Sequence, residues 1–328
     1  MLCRPLPEIE VEAIRAEALG YTGLWSTEST NDPFLPVLLA ARSTSAPELG
    51  TCIAVALARN PMTMAVIAND LHAYSGRFIL GLGSQVRAHI TRRFGMPWSN
   101  PAERMLEFVG ALKAIWSSWN DGSTLDFQGT FYSHTLMPNA FRPAPNPHGQ
   151  PRIYLAGVGP RMTEVAGQVA DGFLAHPFMT EEYFRTVTIP ALARGAERSG
   201  RDLSTIELTA PGFVVTGSDE DEVASASRAV RTRIGFYAST PAYLDVLQVH
   251  GWSDLQREAS SLVKAGRAGE LAELVDDSVL RQFAVVASPD AVCSAFREMF
   301  GDVAQRVVME LPYEVSGPTL AQIAEGIS

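Results

Sequence analysis

The sequence has no excess of positive charge. It contains 26 lysine and arginine residues against 36 aspartate and glutamate residues, which gives a formal net charge of −10 at pH 7. A protein that binds nucleic acid without sequence preference needs basic side chains to neutralise phosphates. The composition therefore excludes a general nucleic-acid binder, and we expect no nucleic-acid partner.

Cysteine and histidine are scarce, and neither occurs in a metal-binding pattern. The three cysteines, Cys3, Cys52 and Cys293, form no CxxC motif, which is typical of a protein from a reducing compartment. None of the six histidines pairs with another at the spacing of an HExxH motif. We expect no metal site and a cytoplasmic location.

Long apolar runs are missing too. No stretch approaches the length of a membrane-spanning helix, and the first residues do not contain the apolar region of a signal peptide. Hydrophobic residues make up 46% of the chain and charged residues 19%, which is enough to build a large core. The sequence thus predicts a globular protein with no membrane partner.

A regular alternation of strand and helix patterns runs through the chain. Seven or eight apolar strand patterns alternate with helical patterns over 328 residues. Such alternation favours a parallel sheet, and eight units favour closure into a (β/α)8 TIM barrel. We predict an α/β fold with a single domain over residues 1–328 and a shortened first strand within residues 1–7. The more polar segment 240–277 is interpreted as a helical insertion or lid.

The segment from Pro151 to His176 has the pattern strand, tight loop, helix, strand. Its glycines let the backbone approach a ligand closely, and a helix that begins at Pro160 directs free N–H groups and a positive dipole end towards an anion. The alternative is an ordinary strand-to-helix turn. The loop Gly157-Val158-Gly159-Pro160 is thus predicted to bind an anion, typically a phosphate. His176 ends the next strand and would face the barrel mouth.

Three more strand ends carry candidate residues, because the active site of a TIM barrel lies at the carboxyl ends of its strands. These segments are Glu28–Asp32, Cys52–Ala54 and Gly83–Gln85. Cys52 has no nearby histidine to activate a thiol, so the sequence favours a small core residue over a nucleophile. His89 comes one helical turn after Gly83 and could face the strand ends, with a surface or capping role as the alternative.

Several sequence motifs lie at or near the ends of the predicted strands. They are GYTGLWSTE at 20–28, GTCI at 50–53, RNP at 59–61, SGRFILGLGS at 75–84, FQGTFY at 127–132 and the unit 153–172. Together they resemble the bacterial-luciferase-like monooxygenase family, and the resemblance covers nearly the whole chain. Two others, DPFLP at 32–36 and QVRAH at 85–89, resemble the branch of that family that uses the deazaflavin coenzyme F420.

The resemblance implies a TIM-barrel oxidoreductase, often a homodimer, that acts on a small organic molecule. It implies that the cofactor ring lies against Cys52, Ile53 and Ala54, where the family often has a bulge with a non-prolyl cis peptide. Gly83 and Ser84 match a further ring or ribityl contact, and Glu28 and Ser29 match a position that approaches the ring. The loop from Gly157 to Arg161 matches the cofactor phosphate site, and Ala156 and His176 complete the residues predicted to bind the cofactor.

The chain also departs from the family. The sugar-phosphate dehydrogenase of this family has a histidine at the position of Ser29 and a catalytic glutamate near Val86, so its substrate and acid–base scheme should not be transferred. Glu28 or His89 is then the candidate that handles the proton. Arginines that follow two strand ends could attract an anionic cofactor; they are Arg87, Arg92, Arg93 and Arg161.

Other functions stay open at this point. An FMN-dependent monooxygenase of the same fold is one alternative, and a non-catalytic protein that binds flavin or deazaflavin is another. A TIM-barrel hydrolase or isomerase without a redox cofactor lacks support, because no carboxylate pair or metal constellation is present in the sequence.

Overall fold

A computed structural model describes residues 2–327; Met1 and Ser328, the end residues of the predicted domain, lie outside it. Parallel strands alternate with helices along most of the chain. The strands are β1 Gly23–Ser26, β2 Glu48–Thr51, β3 Ala54–Val55, β4 Phe78–Gly83, β5 Phe127–Gln128, β6 Ser133–His134, β7 Arg152–Gly157, β8 Gly172–Ala175, β9 Glu207–Ala210, β10 Phe213–Val215, β11 Ala284–Val286 and β12 Arg306–Val307.

The helices cover the segments between these strands. They are α1 Ile9–Ala18, α2 Phe34–Ser43, α3 Pro61–Ser75, α4 Pro101–Asp121, α5 Pro160–Val169, α6 Glu181–Tyr183, α7 Ile189–Arg198, α8 Glu220–Ala238, α9 Leu244–Val249, α10 Ser253–Lys264, α11 Asp277–Phe283, α12 Val292–Phe300 and α13 Gly317–Glu325. The start of α3 shows why helices form where they do. Asn60 caps it by accepting the Met62 N–H at 2.8 Å, Pro61 occupies the first helical position, and Gly76 ends it with φ of 65°.

The described residues form two compact units. Unit 1 comprises residues 2–157, 161–174 and 192–206, and unit 2 comprises residues 158–160, 175–191 and 207–327. The prediction of a single domain stays a prediction.

Unit 1 contains a parallel sheet in the order β1-β2-β4-β7-β8, with β3 paired to the end of β4. The register pairs Trp25 with Gly50 and Leu80 with Ile153. Every residue of β4 is buried, as expected for a parallel strand that is covered on both faces. Helices α3 and α4 pack together, and the Trp116 indole N–H donates to the Ala65 carbonyl at 3.1 Å.

Unit 2 contains two parallel strand pairs, β9 with β12 and β10 with β11. A parallel bridge between Phe213 and Glu310 extends the first pairing beyond β12. Helix α8 packs against the 3-10 segment Ala268–Leu274, and its N-cap, Asp219, accepts the Glu222 N–H at 2.8 Å. The segment 240–277 is helical, as the sequence predicts; its role as a lid stays a prediction.

Two segments depart from regular strand and helix geometry. Strand β2 ends at Thr51, the peptide between Cys52 and Ile53 is cis, and the chain resumes for two residues as β3 before a 3-10 turn. The segment that follows Gln85 contains a π-helical turn at His89–Arg93. Among residues 2–327 no strand precedes β1, although the Leu2 N–H donates to the Trp25 carbonyl at 2.6 Å.

Candidate functional site

The carboxyl ends of four neighbouring strands of unit 1 form the candidate site. Because β1, β2, β4 and β7 are parallel, the residues that follow them lie at one edge of the sheet. This edge brings together the segments beginning at Glu28, Cys52, Gly83 and Gly157, as the sequence predicts.

A backbone bulge follows β2 at this edge. The peptide between Cys52 and Ile53 is cis, which confirms the expectation drawn from the resemblance. The Cys52 N–H donates to the Ser26 carbonyl at 2.6 Å. The Thr51 hydroxyl donates to the Gly81 carbonyl at 2.6 Å and accepts the Gly81 N–H at 3.0 Å. These hydrogen bonds take the place of the regular backbone hydrogen bonds between neighbouring strands, which the bulge interrupts.

The bulge presents the side chain of Ile53 at the strand ends. A Cβ atom added at Gly83 would lie 2.9 Å from Ile53 Cγ1, so the glycine is what lets Ile53 lie directly on β4. Ile53 also packs on a buried apolar cluster that includes Val55 and Ile90. Ile53 and Gly83, joined in this way, are called the Ile53 platform below. Cys52 is partly buried and Ala54 is fully buried beside it.

Glu28 braces this platform. Its carboxylate accepts the Val55 N–H at 2.7 Å and pairs with Arg59 Nη1 at 2.5 Å, and its own N–H donates to the Ile53 carbonyl at 3.3 Å. The side chain of Glu28 is only 7% exposed. Arg59 also bonds Asp32 at 3.0 Å. These contacts suit a residue that positions the bulge, and a role of Glu28 in proton transfer stays a prediction.

Two of the other polar candidates of unit 1, Ser29 and His89, are exposed. The Ser29 side chain is exposed and its carbonyl accepts a hydrogen bond from Arg93 Nη2 at 2.8 Å. His89 lies on the π-helical turn whose buried member is Ile90, and its imidazole is exposed. Ser84 is partly buried and its hydroxyl donates to the Gln85 carbonyl at 3.2 Å. The structure brings neither Ser29 nor His89 into a polar side-chain cluster among the residues it describes.

The loop after β7 has two different glycines. A Cβ atom at Gly157 would lie 3.1 Å from Met162 Cγ, whereas one at Gly159 would meet nothing within 4 Å. Gly157 is therefore a packing glycine, and Gly159 borders open space next to the start of α5 at Pro160. Arg161 is 80% exposed and forms an ion pair with Glu103. Ala156 is partly buried.

Within unit 2, the Val158 carbonyl accepts a hydrogen bond from the Tyr183 hydroxyl at 3.0 Å. Tyr183 is fully buried in α6 and therefore fixes this part of the loop. The burial of Tyr183 raises its pKa to about 12, so the hydroxyl keeps the proton that it donates.

His176, the last predicted site residue, lies among aromatic rings of unit 2. Its ring centroid is 4.7 Å from that of Tyr237 and 4.9 Å from that of Tyr243. Burial lowers the pKa of His176 to about 4, so the imidazole is neutral near pH 7. Phe178 donates its N–H to His176 Nδ1 at 3.0 Å, and Tyr243 places its hydroxyl 3.4 Å from Nε2.

Sequence reasoning missed several residues that the structure makes prominent. Arg59 lies within the RNP motif, but nothing in the motif indicates its pairing with Glu28. Tyr183, Tyr237 and Tyr243 belong to no motif. Glu310 extends the β12 edge, and burial raises its pKa while Arg233 opposes that shift. Only their proximity in the fold identifies them.

The described part of the chain contains neither a metal-binding cluster nor a membrane-spanning helix. Within residues 2–327 no group of three or more histidine, cysteine, aspartate or glutamate residues could hold a metal ion. None of the helices in that part of the chain is both long and apolar enough to span a membrane.

The chain is similar to known proteins along nearly its whole length. A family model described as luciferase-like monooxygenase matches residues 4–306. An uncharacterised protein of Mycobacterium tuberculosis H37Rv is 50% identical over 297 residues, which are 90% of this chain and 87% of that protein. The 5,10-methylenetetrahydromethanopterin reductase of Methanolobus tindarius is 25% identical over 313 residues, 94% of this chain and 91% of that protein.

A solved structure has the same fold. The coenzyme F420-dependent tetrahydromethanopterin reductase from Methanopyrus kandleri has a TM-score of 0.81 at 22% identity, covering 99% of this chain and 95% of that chain. This likeness confirms the predicted TIM-barrel class. The chain thus belongs to the luciferase-like monooxygenase family, with relatives in its F420-dependent branch, and it is an oxidoreductase.

Proposed function

We propose that this protein is a coenzyme F420-dependent oxidoreductase that transfers a hydride between the deazaflavin and a small organic substrate. The observation that carries the proposal is the Ile53 platform. An apolar side chain held by a rigid bulge at the strand ends offers a flat backing for a planar ring. The relatives reported above support the choice of a deazaflavin.

The residues of unit 1 fit such a ring. Ile53 would back it, since its far side packs on Val55 and Ile90 and so presents hydrocarbon rather than water. Cys52, Ala54, Gly83 and Ser84 would border it, and Glu28 would hold the bulge in place. The bound deazaflavin supplies the hydride chemistry at its C5, and the protein supplies binding, orientation and exclusion of water.

The loop 157–161 fits the cofactor phosphate. Gly159 borders open space at the start of α5, where backbone N–H groups and the helix dipole favour an anion. The Tyr183 hydroxyl donates to the Val158 carbonyl and so anchors one residue of this loop. Ala156, Gly157, Pro160 and Arg161 would complete the loop. The role of His176 in cofactor binding stays a prediction.

Calorimetric titration of the purified protein with F420 and, separately, with FMN tests the proposal. We expect F420 to bind more tightly. Equal or tighter binding of FMN would instead favour an FMN-dependent monooxygenase, and binding of neither would overturn both. Tight F420 binding without turnover on a broad substrate panel would favour a non-catalytic binding protein.

Two glycine variants test whether the Ile53 platform contributes to the binding of F420. Gly83→Ala places a methyl group 2.9 Å from Ile53 Cγ1 and should weaken F420 binding by displacing Ile53. Gly269→Ala is the matched control, because a Cβ there would meet nothing within 4 Å.

We also infer a homodimer and a cytoplasmic location. Helices α1, α2 and α3 expose large apolar side chains, which an interface with a second copy would cover. These residues are Val11, Ile14, Leu35, Leu38 and Val66. Light scattering should find a dimer that Leu38→Glu dissociates; a wild-type monomer would refute it. All three cysteines are free thiols, which suits a reducing compartment.

A further inference from the structure

The short helix α6 is held on both sides of Tyr183 within unit 2. Thr180, which is fully buried, caps the helix by accepting the Tyr183 N–H at 3.1 Å, and its hydroxyl lies 2.7 Å from His250 Nε2. Two residues after Tyr183, Arg185 donates to both carboxylate oxygens of Asp302, each at 2.8 Å. The fully buried Tyr183 ring therefore has a fixed position.

From this position the Tyr183 hydroxyl holds one backbone carbonyl of the loop after β7. The two oxygens, Tyr183 Oη and the Val158 carbonyl oxygen, are 3.0 Å apart. A carbonyl can only accept, so Tyr183 is the donor. Burial, with a smaller contribution from Asp245, raises the pKa of Tyr183 to about 12, so the hydroxyl keeps the proton that this bond requires.

This hydrogen bond sets the orientation of the peptide that joins Val158 to Gly159. The peptide is trans, so its C=O and N–H point in opposite directions, and a carbonyl that faces Tyr183 directs the Gly159 N–H to the other side. The φ of Gly159 is not positive in this arrangement. Turning the peptide over by half a turn would make that φ positive, which glycine accepts at little cost. The backbone thus has two accessible orientations, and Tyr183 selects one of them.

The selected orientation matters to an anion, because a carbonyl oxygen carries partial negative charge and an N–H partial positive charge. We propose that Tyr183 is a positioning residue for the cofactor phosphate: it keeps the Val158 carbonyl oxygen away from the phosphate and turns the N–H side of that peptide towards it. A Cβ atom at Gly159 would meet nothing within 4 Å, so the space beside this peptide is open. The inference rests on the proposed function, which places the phosphate at this loop.

Calorimetry with two pairs of ligands tests the proposal on the full chain. F420 is compared with the phosphate-free deazaflavin, which keeps the ring and the ribityl chain, and FMN is compared with riboflavin. Within each pair the ratio of affinities measures what the phosphate end contributes, because both members share the ring. We expect Tyr183→Phe to lower the F420 ratio about fivefold, as expected for the loss of one neutral hydrogen bond. A general structural defect would weaken both members equally and leave the ratio unchanged.

Tyr313→Phe is the matched control. The Tyr313 hydroxyl also donates to a valine carbonyl, that of Val214, at 3.0 Å, and it accepts the Thr216 N–H at 3.2 Å. Its removal should therefore lower the stability to urea at least as much as Tyr183→Phe does, while the affinity ratios stay as in the wild type. Equal falls of the F420 ratio in the two variants would overturn the proposal.

Gly159→Ala tests the orientation of the peptide directly. Alanine disfavours the positive φ that the turned-over peptide needs, so it retains the observed orientation without help from Tyr183. In the Gly159→Ala protein, Tyr183→Phe should then lower the F420 ratio by less than about twofold, whatever alanine does by itself. The same fall in both backgrounds would show that peptide orientation is not the cause.

The wild-type titrations separate this inference from the proposed function. F420 binding with a ratio that Tyr183→Phe does not change would overturn the inference alone. A preference for FMN over riboflavin that depends on Tyr183, in a protein that does not bind F420, would support the inference and refute the F420 assignment. Binding of neither phosphate compound would overturn both.

Discussion

Single residues decide whether the loop after β7 can accept a phosphate. Gly159 borders open space and does not have a positive φ, so Gly159→Val should fold normally while filling the space we assign to the ligand. We expect F420 affinity to fall tenfold or more, about 1.4 kcal/mol, in calorimetric titration. Gly269→Val, at a second open glycine, is the control. Unchanged F420 affinity in a folded Gly159→Val protein would remove the loop from the site.

His176 gives a second prediction at this scale. The unfolded chain takes up a proton at this residue near pH 6.5, whereas burial delays that uptake in the folded protein to about pH 4. The neutral His176 therefore makes its full contribution to the free energy of unfolding above pH 6.5. This contribution, up to about 3 kcal/mol, is lost as the pH falls towards 4.

Urea unfolding between pH 7 and pH 4.5 measures this effect. The free energy of unfolding should fall more steeply in the wild type than in His176→Gln. His89→Gln is the control, since that side chain is exposed. Parallel pH profiles for wild type and His176→Gln would show that His176 titrates freely in the folded protein.

At the scale of elements, Glu28 joins the end of β1 to the bulge after β2. Glu28→Ala leaves the Val55 N–H without its acceptor and leaves Arg59 with Asp32 as its ion-pair partner, so we expect a loss of about 2 kcal/mol in the free energy of unfolding. F420 binding should weaken as well, because Ile53 loses its brace.

The ion pair between Arg42 and Glu10 is the matched control. Its atoms are 3.7 Å apart and its side chains are 74% and 42% exposed, so Glu10→Ala should cost less than about 0.5 kcal/mol. Chemical denaturation measures both variants. Equal losses for Glu28→Ala and Glu10→Ala would contradict a bracing role for Glu28.

At the scale of the whole molecule, net charge bears on the choice of cofactor. F420 carries a phosphate and an acidic oligoglutamate tail, and a protein with a net charge of −10 attracts it only through local positive charge. Arg161 is paired with Glu103, and Arg93 is bonded to the Ser29 carbonyl. Arg87 and Arg92 are exposed and have no ion-pair partner within residues 2–327.

We therefore expect F420 affinity to fall more steeply with salt than FMN affinity does, because salt screens exposed charges. The double variant Arg87→Ala, Arg92→Ala should flatten that dependence more than Arg161→Ala. Calorimetric titrations at roughly 0.05 to 0.5 M NaCl, the range in which salt screening of exposed charges changes most, measure these salt dependences. F420 affinity that ignores salt would remove the charge argument and favour FMN.

The sequence by itself determined the class of the fold and predicted the strand ends at which we propose the ring site. Alternating apolar strands and helices are a local pattern, so they could be recognised without knowing which strands pair. Motifs such as SGRFILGLGS carried the family resemblance, and with it the cis peptide at Cys52–Ile53. The glycines of the loop 157–161 likewise marked a helix start from neighbouring residues alone.

Only the tertiary structure decided which side chains meet. Glu28 pairs with Arg59 across 31 positions of the chain, and Tyr243 reaches His176 across 67. Such contacts depend on strand register and helix packing, which no local pattern records. For the same reason the sequence could not foresee that Glu103 would partner Arg161, or that the packing of Ile90 would leave His89 exposed. Periodicity specifies the elements, whereas the partner of each charged or polar group is set by the distances that folding creates.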